Sequence, residues 1–528
     1  MRRSNAPKSP PPSKNMDSSI KHQFRPINTR PIFPRKPSTK FNPIIILTLL
    51  ITFLIFLISR NFRNSPKTLH YKIVIDGGST GTRIHVFRVL DGSKSSFDFG
   101  KDGLMSMRVT PGLGSFIGDP VGAGGSLIEL LRFGKEIVPR DYWGETEVRL
   151  MGTAGLRRVE DGVREKILES CRKVLRESGF KFRDDWVSVI TGSDEGIFAW
   201  VAANYALGTL GSDPQKTVGI VELGGASAQV TFVSSETLPP EYAHSLKYGE
   251  ITYNLYSHSL LHLGQNVAYD SLRELLLSKD PKYAESHGDG LFHDPCSPRG
   301  YTHSTSSWNH SPGPIVHASG NFSECRTAAL KLLQEGKEQC RYKHCYIGNT
   351  YIPELRGRLL ATENFFHTSK FFGLPSKAIL SDLMLAGEQF CGEDWLKLQK
   401  KYPSLDQQDL LRYCFSSAYI VALLHDSLGI ALDDGRIGFA NQVGDIPLDW
   451  ALGAFIMQNM ADLEREDNYS ADWISALLSG KSTKSFYLFV ISIILICTVW
   501  LFLKWRKPQF KTIYDLEKGR YIVTHITR

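Results

Sequence analysis

The 528-residue chain is 42% hydrophobic and 22% charged, ordinary proportions for a globular protein, which excludes global disorder; its length exceeds one compact core and calls for two lobes or more. The net charge of +8 does not signal nucleic-acid binding, because the first 42 residues hold ten Lys and Arg against one acid, Asp17, and subtracting that +9 leaves a nearly neutral remainder. No nucleic-acid partner is expected, and the composition leaves the oligomeric state open.

Residues 1–42 are rich in Pro and Ser and read as a disordered tail. Ile44 to Ser59 carries no charge. At a rise of about 1.5 Å per residue it is just long enough to cross a bilayer with help from its flanks. A signal peptide would also be short and apolar, but the long segment before it and the lack of a small-x-small site after Ser59 favour an uncleaved anchor over 43–60. A second apolar run, Phe486 to Leu503, is followed at once by Lys504, Arg506 and Lys507. Cytoplasmic flanks are enriched in Lys and Arg, so both the N-terminal tail and the tail over 504–528 are expected in the cytoplasm. The region between the anchors then faces a lumen, of the Golgi or a secretory vesicle, or the cell exterior. Three glycosylation sequons, at Asn309, Asn321 and Asn468, lie there. So do six of the eight cysteines, Cys296, Cys325, Cys340, Cys345, Cys391 and Cys414, which in an oxidising compartment read as three disulfides. No CxxC pair has zinc spacing. Cys171 reads as a small core residue of an amphipathic helix.

From Tyr71 onward, strand-like and helix-like runs alternate. Tyr71–Ile75, Trp186–Ile190 and Val218–Val221 are predicted strands; Gly162–Ser178 and Ile197–Leu207 are predicted helices, the second capped by Ser193 or Asp194. The mixture indicates an α/β fold. One internal echo stands out. Lys72–Asp76 runs into Gly77-Gly78-Ser79-Thr80-Gly81 and then a second alternating strand from Thr82 and Arg83. Val218–Glu222 runs into Leu223-Gly224-Gly225-Ala226-Ser227 and then another, Ala228–Phe232. Each unit is a buried strand, a terminal acid, a glycine turn and a returning strand, and two such units suggest two lobes of similar design.

Glycines let backbone N–H groups surround a phosphate, and nearby hydroxyls add donors. The acids Asp76 and Glu222 offer oxygens, direct or through water, to Ca²⁺ or Mg²⁺. Either loop alone also reads as an ordinary hairpin turn; it is their shared order that argues for a phosphate site. Neither matches a P-loop or GxGxxG, and each leads into a strand instead of a helix. Period two places Ser227, Gln229 and Thr231 on one strand face, with Ser227 and Gln229 about 7 Å apart. A hydroxyl and an amide so placed can hold a water; the plainer reading is a solvated polar face. Glu195 is the candidate base, although an acid in a first helical turn commonly only favours the helix dipole.

At this point the residues resemble a known family, the apyrases or ecto-nucleoside triphosphate diphosphohydrolases, and look closest to the plant membrane-bound apyrases. The segments that carry the resemblance are IDGGSTGTRIHVF (75–87), MGTAGLR (151–157), GSDEGIFAWVAANY (192–205), VELGGASAQVTF (221–232) and, more loosely, YCFSSAYIVALL (413–424) with NQVGDIPLDWALG (441–453). The resemblance implies two actin-like lobes of the ribonuclease-H type with a nucleotide cleft between them, lobe I over 61–191 and 438–462 and lobe II over 192–437, with a linker over 463–485. It implies hydrolysis of the terminal phosphate of a Ca²⁺- or Mg²⁺-bound nucleoside tri- or diphosphate. Glu195 would be the general base, Ser227 and Gln229 the holders of the attacking water, and Asp76 and Glu222 the holders of metal-bound water. Gly77, Gly78, Ser79, Thr80, Gly81, Thr82, Arg83, Gly224, Gly225 and Ala226 would line the phosphates. The implied disulfides are Cys296–Cys325, Cys340–Cys345 and Cys391–Cys414. Tyr413 and Phe365-Phe366-His367 are the candidates for stacking on the base. Two departures matter: Glu222 stands where the family usually has Asp, and Ala228 where it usually has Thr. Two other classes fit the same superfold, a non-catalytic nucleotide-binding protein and a kinase.

Overall fold

The computed structural model describes residues 69–90, 103–277, 292–304 and 315–461, together with residues 496 and 500 and two short strands near the C-terminus. All of these lie in the compact unit Lys67–Arg528. The N-terminal tail, the first membrane segment, the linker over 463–485 and the sequons at Asn309 and Asn468 lie outside the described residues, as does the second membrane segment apart from Ile496 and Trp500. Among the described residues no helix is long and apolar enough to cross a membrane. Within the C-terminal tail, Phe510–Asp515 and Arg520–His525 pair as an antiparallel hairpin.

Two mixed sheets organise the fold. The first contains β1 (Leu69–Gly77), β2 (Thr82–Leu90), β3 (Leu104–Val109), β4 (Glu147–Gly152) and β5 (Val187–Val189), in the order β3-β2-β1-β4-β5. The second contains β6 (Gly219–Leu223), β7 (Ser227–Val233), β8 (Ala243–Tyr248), β9 (Ile251–Leu261), β10 (Leu359–Glu363) and β11 (Ile437–Phe439), in the order β11-β10-β6-β7-β9-β8. The internal echo in the sequence is thus a repeated hairpin: β1 returns as β2 with Asp76 opposite Arg83, and β6 returns as β7 with Glu222 opposite Gln229.

Alternation decides what each face meets. Ile73, Ile75, Ile84 and Val86 bury against α1 (Pro120–Ile137) and α2 (Asp161–Arg176), whose Leu127, Leu130, Ile167 and Cys171 complete that core. Val74, Phe87 and Met151 point the other way, into a layer formed by α3 (Gly192–Ala206) and a helix over residues 450–461; Phe87 stacks on Phe455 at 4.2 Å. Ile220, Tyr253 and Leu255 of the second sheet reach the same layer from its opposite side. A helix apolar on every side, as α3 is, must be surrounded, and Ala199 through Ala203 are all buried. On its far face the second sheet sends Val221, Leu223, Ala228, Val230 and Phe232 into a core shared with helices Phe322–Leu333, Leu380–Gly392 and Gln407–Val421.

Two details differ from the sequence expectation. Helix α3 starts at Gly192, and its cap is Thr191 instead of Ser193 or Asp194: Thr191 Oγ1 accepts the Asp194 N–H at 3.1 Å and donates to the Asp194 carboxylate at 2.6 Å. Trp186 lies in a 3-10 turn ahead of β5, surrounded by Arg149, Lys181 and Arg183. The disulfides Cys296–Cys325, Cys340–Cys345 and Cys391–Cys414 all form. Cys171 is a buried free thiol whose pKa burial pushes up to about 12.

Candidate active site

The two glycine loops meet across a cleft at the ends of the two sheets. A Cβ on Gly225 would lie 2.7 Å from Thr80 Cγ2 and 2.8 Å from Ser79 Oγ, so the loops can approach this closely only because position 225 has no side chain. Gly78, Ser79, Thr80, Gly81 and Arg83 from the first loop and Gly224, Gly225, Ala226 and Ser227 from the second line the same cleft, along with Asp76, Glu195 and Glu222. Gly77 packs beneath the turn against Leu113, and Thr82 is fully buried with its hydroxyl unpartnered, so neither lines the cleft. The Gly77–Gly81 run also fits G-x-S-x-G spacing, but it joins two antiparallel strands, not a strand to a helix as a nucleophile elbow does.

Packing of α3 on β7 and β9 sets the corner that holds Glu195 and Ser227. Gly192 and Gly196 face the sheet at the places where a Cβ would collide with Ser259 and Thr231. This close approach covers the polar face of β7, which is therefore not solvated: Ser227, Gln229 and Thr231 are each at most 2% exposed. Gln229 Nε2 donates to Ser227 Oγ at 2.7 Å and to Ser259 Oγ at 3.2 Å, which fixes the amide and leaves Ser227 beside Glu195. Arg157, at the end of the one-turn helix Ala154–Arg157, ties the corner together. Its Nη2 donates to Glu195 Oε2 at 2.8 Å and to Ser227 Oγ at 3.4 Å, while Nη1 donates to the Ile190 carbonyl at 3.2 Å. Burial pushes the Glu195 carboxyl above its usual pKa and Arg157 pulls it part of the way back.

Among the described residues Asp76 and Glu222 have no paired cation; Arg83 alone offsets part of the rise at Asp76. Burial first, then the charges of Asp449 and Glu195 for Asp76 and of Glu195 and Glu363 for Glu222, raise both carboxyls well above their usual range. Asp76 Oδ1 and Glu222 Oε2 are enclosed and have no hydrogen-bond partner. Orphaned, mutually repelling carboxylate oxygens are what a hydrated divalent cation would satisfy. Among the described residues no three His, Cys, Asp or Glu side chains converge closely enough to ligate a metal directly. The donor set therefore suits a cation held through water.

Four further cleft residues carried no role in the sequence reading. Asp449 accepts from Arg83 Nη1 at 3.0 Å and from the Ala451 N–H at 2.8 Å, and lies 3.5 Å from His85 Nε2; burial opposes its charge, but His85 and Arg83 outweigh it and hold the carboxyl below its usual pKa. Arg108 donates to Thr80 Oγ1 at 2.7 Å. Glu363 ends β10 with φ at 57°, its N–H held by Asn441 Oδ1 at 2.7 Å, and Trp450 adjoins Asp449. Arg157, the pivot of the corner, and Asp449 both lie within segments that carry the resemblance. Tyr413 is not in the cleft: its ring stacks on Phe371 at 3.5 Å within a cluster that includes Phe372 and Phe390. Phe365 is fully buried, whereas Phe366 and His367 stand on the accessible side of α4 (Asn364–Phe371), directly after Glu363.

Comparison with known proteins agrees with this arrangement. The chain is 56% identical over 488 residues to probable apyrase 6 of Arabidopsis thaliana, covering 90% of this chain and 88% of that protein. It is 49% identical to probable apyrase 4 of the same plant (87% and 95% covered) and 31% identical to a nucleoside-triphosphatase of Pisum sativum (70% and 83% covered). A crystal structure of nucleoside triphosphate hydrolases from Neospora caninum has the same fold, with a TM-score of 0.56 at 18% identity, over 79% of this chain and 97% of that one. Residues 63–469 match the profile of one family, and on that match the chain belongs to the GDA1/CD39 (nucleoside phosphatase) family.

Proposed function

We propose that Glu195 is the general base for direct attack by water on the terminal phosphorus of a nucleoside tri- or diphosphate, with no phosphoenzyme. The chain is an apyrase, and its reaction is hydrolysis of nucleoside tri- and diphosphates. The observation that carries the mechanistic reading is the enclosed corner in which Glu195, Ser227 and Gln229 are joined through Arg157 and one hydroxyl. Ser227 Oγ, fixed by Gln229, orients the water, and Glu195 Oε1, the oxygen not held by Arg157, takes its proton. Backbone N–H groups of the two glycine loops stabilise charge on the departing and transferred oxygens. Asp76 and Glu222 would hold Ca²⁺ or Mg²⁺ through water. Such a cation, when bound, neutralises polyphosphate charge. The longer Glu222 changes the reach of that second acid, so metal preference is expected to depend on it.

Hydrolysis is favoured over a binding-only protein or a kinase by the family match. We further read the chain as a two-span membrane glycoprotein with its catalytic lobes lumenal or extracellular. The three disulfides support an oxidising compartment. The division into lobes at 191/192 and 437/438 belongs to the same reading.

Glu195→Gln tests the base assignment. It keeps the shape and the contact with Arg157 and removes proton acceptance, so phosphate release from ATP and ADP should fall by about 10²- to 10⁴-fold with nucleotide binding retained. Turnover within a few-fold of the parent would sink the assignment.

A further inference from the structure

Strand order gives each side of the cleft a direction, and the charges of Arg83 and Arg108 act on Glu363 across it. In the first sheet, stepping away from β4, which leads to Arg157, the cleft meets β1 with Asp76, β2 with Arg83 and then β3 with Arg108. In the second, stepping away from β7 with Ser227, it meets β6 with Glu222 and then β10 with Glu363. At about 4.8 Å per strand, the backbone of Arg108 stands roughly 14 Å from β4 and that of Glu363 roughly 10 Å from β7, although the Arg108 guanidinium reaches back to Thr80. The end far from the attacking water therefore carries one cation and one acid, contributed by different sheets.

The two arginines at that end differ in what they have left to offer. Arg83 and Arg108 are directly opposite in the β2–β3 register. Arg83 is already committed to Asp449. Arg108 forms no ion pair with a carboxylate among the described residues, and its one hydrogen bond is to the Thr80 hydroxyl of the first glycine loop. That approach needs Gly81, where a Cβ would collide with Arg108 Nε. Among the described residues Glu363 is likewise uncommitted through its carboxylate, and it is held in the cleft with φ at 57°, a backbone region that non-glycine residues seldom adopt. Its carboxyl feels both arginines and Asp449.

We infer that Arg108 and Glu363 together measure the number of phosphates between the scissile bond and the ribose, and so set the preference between tri- and diphosphates. This rests on the placement of the attacking water at Ser227 and Glu195. With the terminal phosphate fixed there, a triphosphate extends one phosphate further toward Arg108, whose guanidinium forms charge-assisted hydrogen bonds to it. A diphosphate brings the ribose one unit nearer instead, and a carboxylate accepts hydrogen bonds from ribose hydroxyls while it repels a phosphate.

The test is kcat/KM for ATP and ADP in the full-length enzyme with Arg108→Met, Arg108→Lys and Glu363→Gln. Arg108→Met should lower ATP hydrolysis by about tenfold or more relative to ADP, with part of the loss restored in Arg108→Lys. Glu363→Gln should shift the ratio the other way by lowering ADP hydrolysis. An ATP-to-ADP ratio within twofold of the parent in Arg108→Met overturns the inference, whether absolute rates fall or not, because a merely structural role lowers both substrates together. Arg108 is exposed, so its variants are expected to fold, and they decide the question even if Glu363→Gln does not accumulate. Absence of phosphate release from any nucleotide by the parent enzyme would instead overturn the hydrolase reading itself.

Discussion

Removing Arg157 is the sharpest probe of how the corner works. Its guanidinium lies 2.8 Å from Glu195, and the two side chains are only 14% and 9% exposed. Breaking a buried pair by deleting one partner costs about 3–5 kcal/mol when the other charge is stranded. Glu195 has an escape: it can take up a proton. Burial already raises its pKa, and Arg157 is the chief influence opposing that rise. In Arg157→Met the opposition is gone, so the folded-state pKa rises further. A base must be deprotonated to act, so the acid limb of the kcat/KM profile should move to higher pH by about one pH unit or more, each unit corresponding to about 1.4 kcal/mol. Activity lost at pH 6 should then be partly recovered at pH 8 to 9. Arg157→Lys, which keeps a charge, should move the limb less. In a Glu195→Gln background the same Arg157 change should destabilise the protein by less than it does alone, because no carboxylate is left stranded. The measurements are a pH–rate series on the parent and the two Arg157 variants, and thermal unfolding of the parent, Arg157→Met, Glu195→Gln and the double variant. A loss uniform across pH, with the acid limb unmoved, would refute the idea that Arg157 tunes the base.

Other expectations follow from single contacts. Gly225→Ala places a methyl 2.7 Å from Thr80 Cγ2, so it should cost about 1–3 kcal/mol in unfolding free energy and, by separating the loops, about 10²-fold in turnover; unchanged turnover would show that the loops need not meet. Thr191→Ala removes the cap that sets the first turn of α3 and with it Glu195, at about 0.5–2 kcal/mol, whereas Ser193→Ala should cost less; the reverse order in chemical denaturation contradicts the observed cap. Asp76 and Glu222 hold protons in the folded state above the pH at which they would release them when unfolded. Stability in EDTA should therefore fall as pH rises from the ordinary carboxylate range, near 4, toward their raised values. Adding Ca²⁺ or Mg²⁺ should offset this, so the melting-temperature gap between metal and EDTA should widen from pH 5 to pH 8; a constant gap speaks against a cation at these acids.

The repeated strand, acid and glycine turn was visible in the sequence because it is local: alternation, a terminal carboxylate and glycines are all read within about fifteen residues. Ser227 and Gln229 were legible for the same reason, since strand period fixes a shared face. What the sequence did not reveal was the burial of that face, because it depends on Gly192 and Gly196 of α3 letting a helix lie close to β7 and β9. Arg157 was missed because its meaning comes from three partners at positions 190, 195 and 227. Glu363 could have been found: Leu359-Leu360-Ala361-Thr362-Glu363 is again a buried strand with a terminal acid, followed this time by a helix. Arg108 gave no signal, since a cation on an alternating edge strand ordinarily reads as solvated. Tyr413 drew attention as an aromatic within a motif, but its neighbours in space are Phe371 and Phe390, which sequence adjacency does not disclose.

The charges of the cleft constrain how substrate enters. Five carboxylates, on Asp76, Glu195, Glu222, Glu363 and Asp449, line it against the cations Arg83 and Arg108, with Arg157 behind Glu195. Arg83 is matched by Asp449 and Arg157 by Glu195, which leaves Arg108 to face three acids. Once Asp76 and Glu222 are ionised, a polyphosphate arriving alone would meet net repulsion there, where neither acid has a donor for its enclosed oxygen. A divalent cation cancels that repulsion for both acids and phosphate at once, so cation and nucleotide should strengthen one another's binding. Positive coupling of this kind is reciprocal. Nucleotide should therefore tighten apparent metal affinity by the same factor that metal tightens nucleotide affinity, and Glu222→Gln, by removing one of the repelling charges, should shrink both factors together.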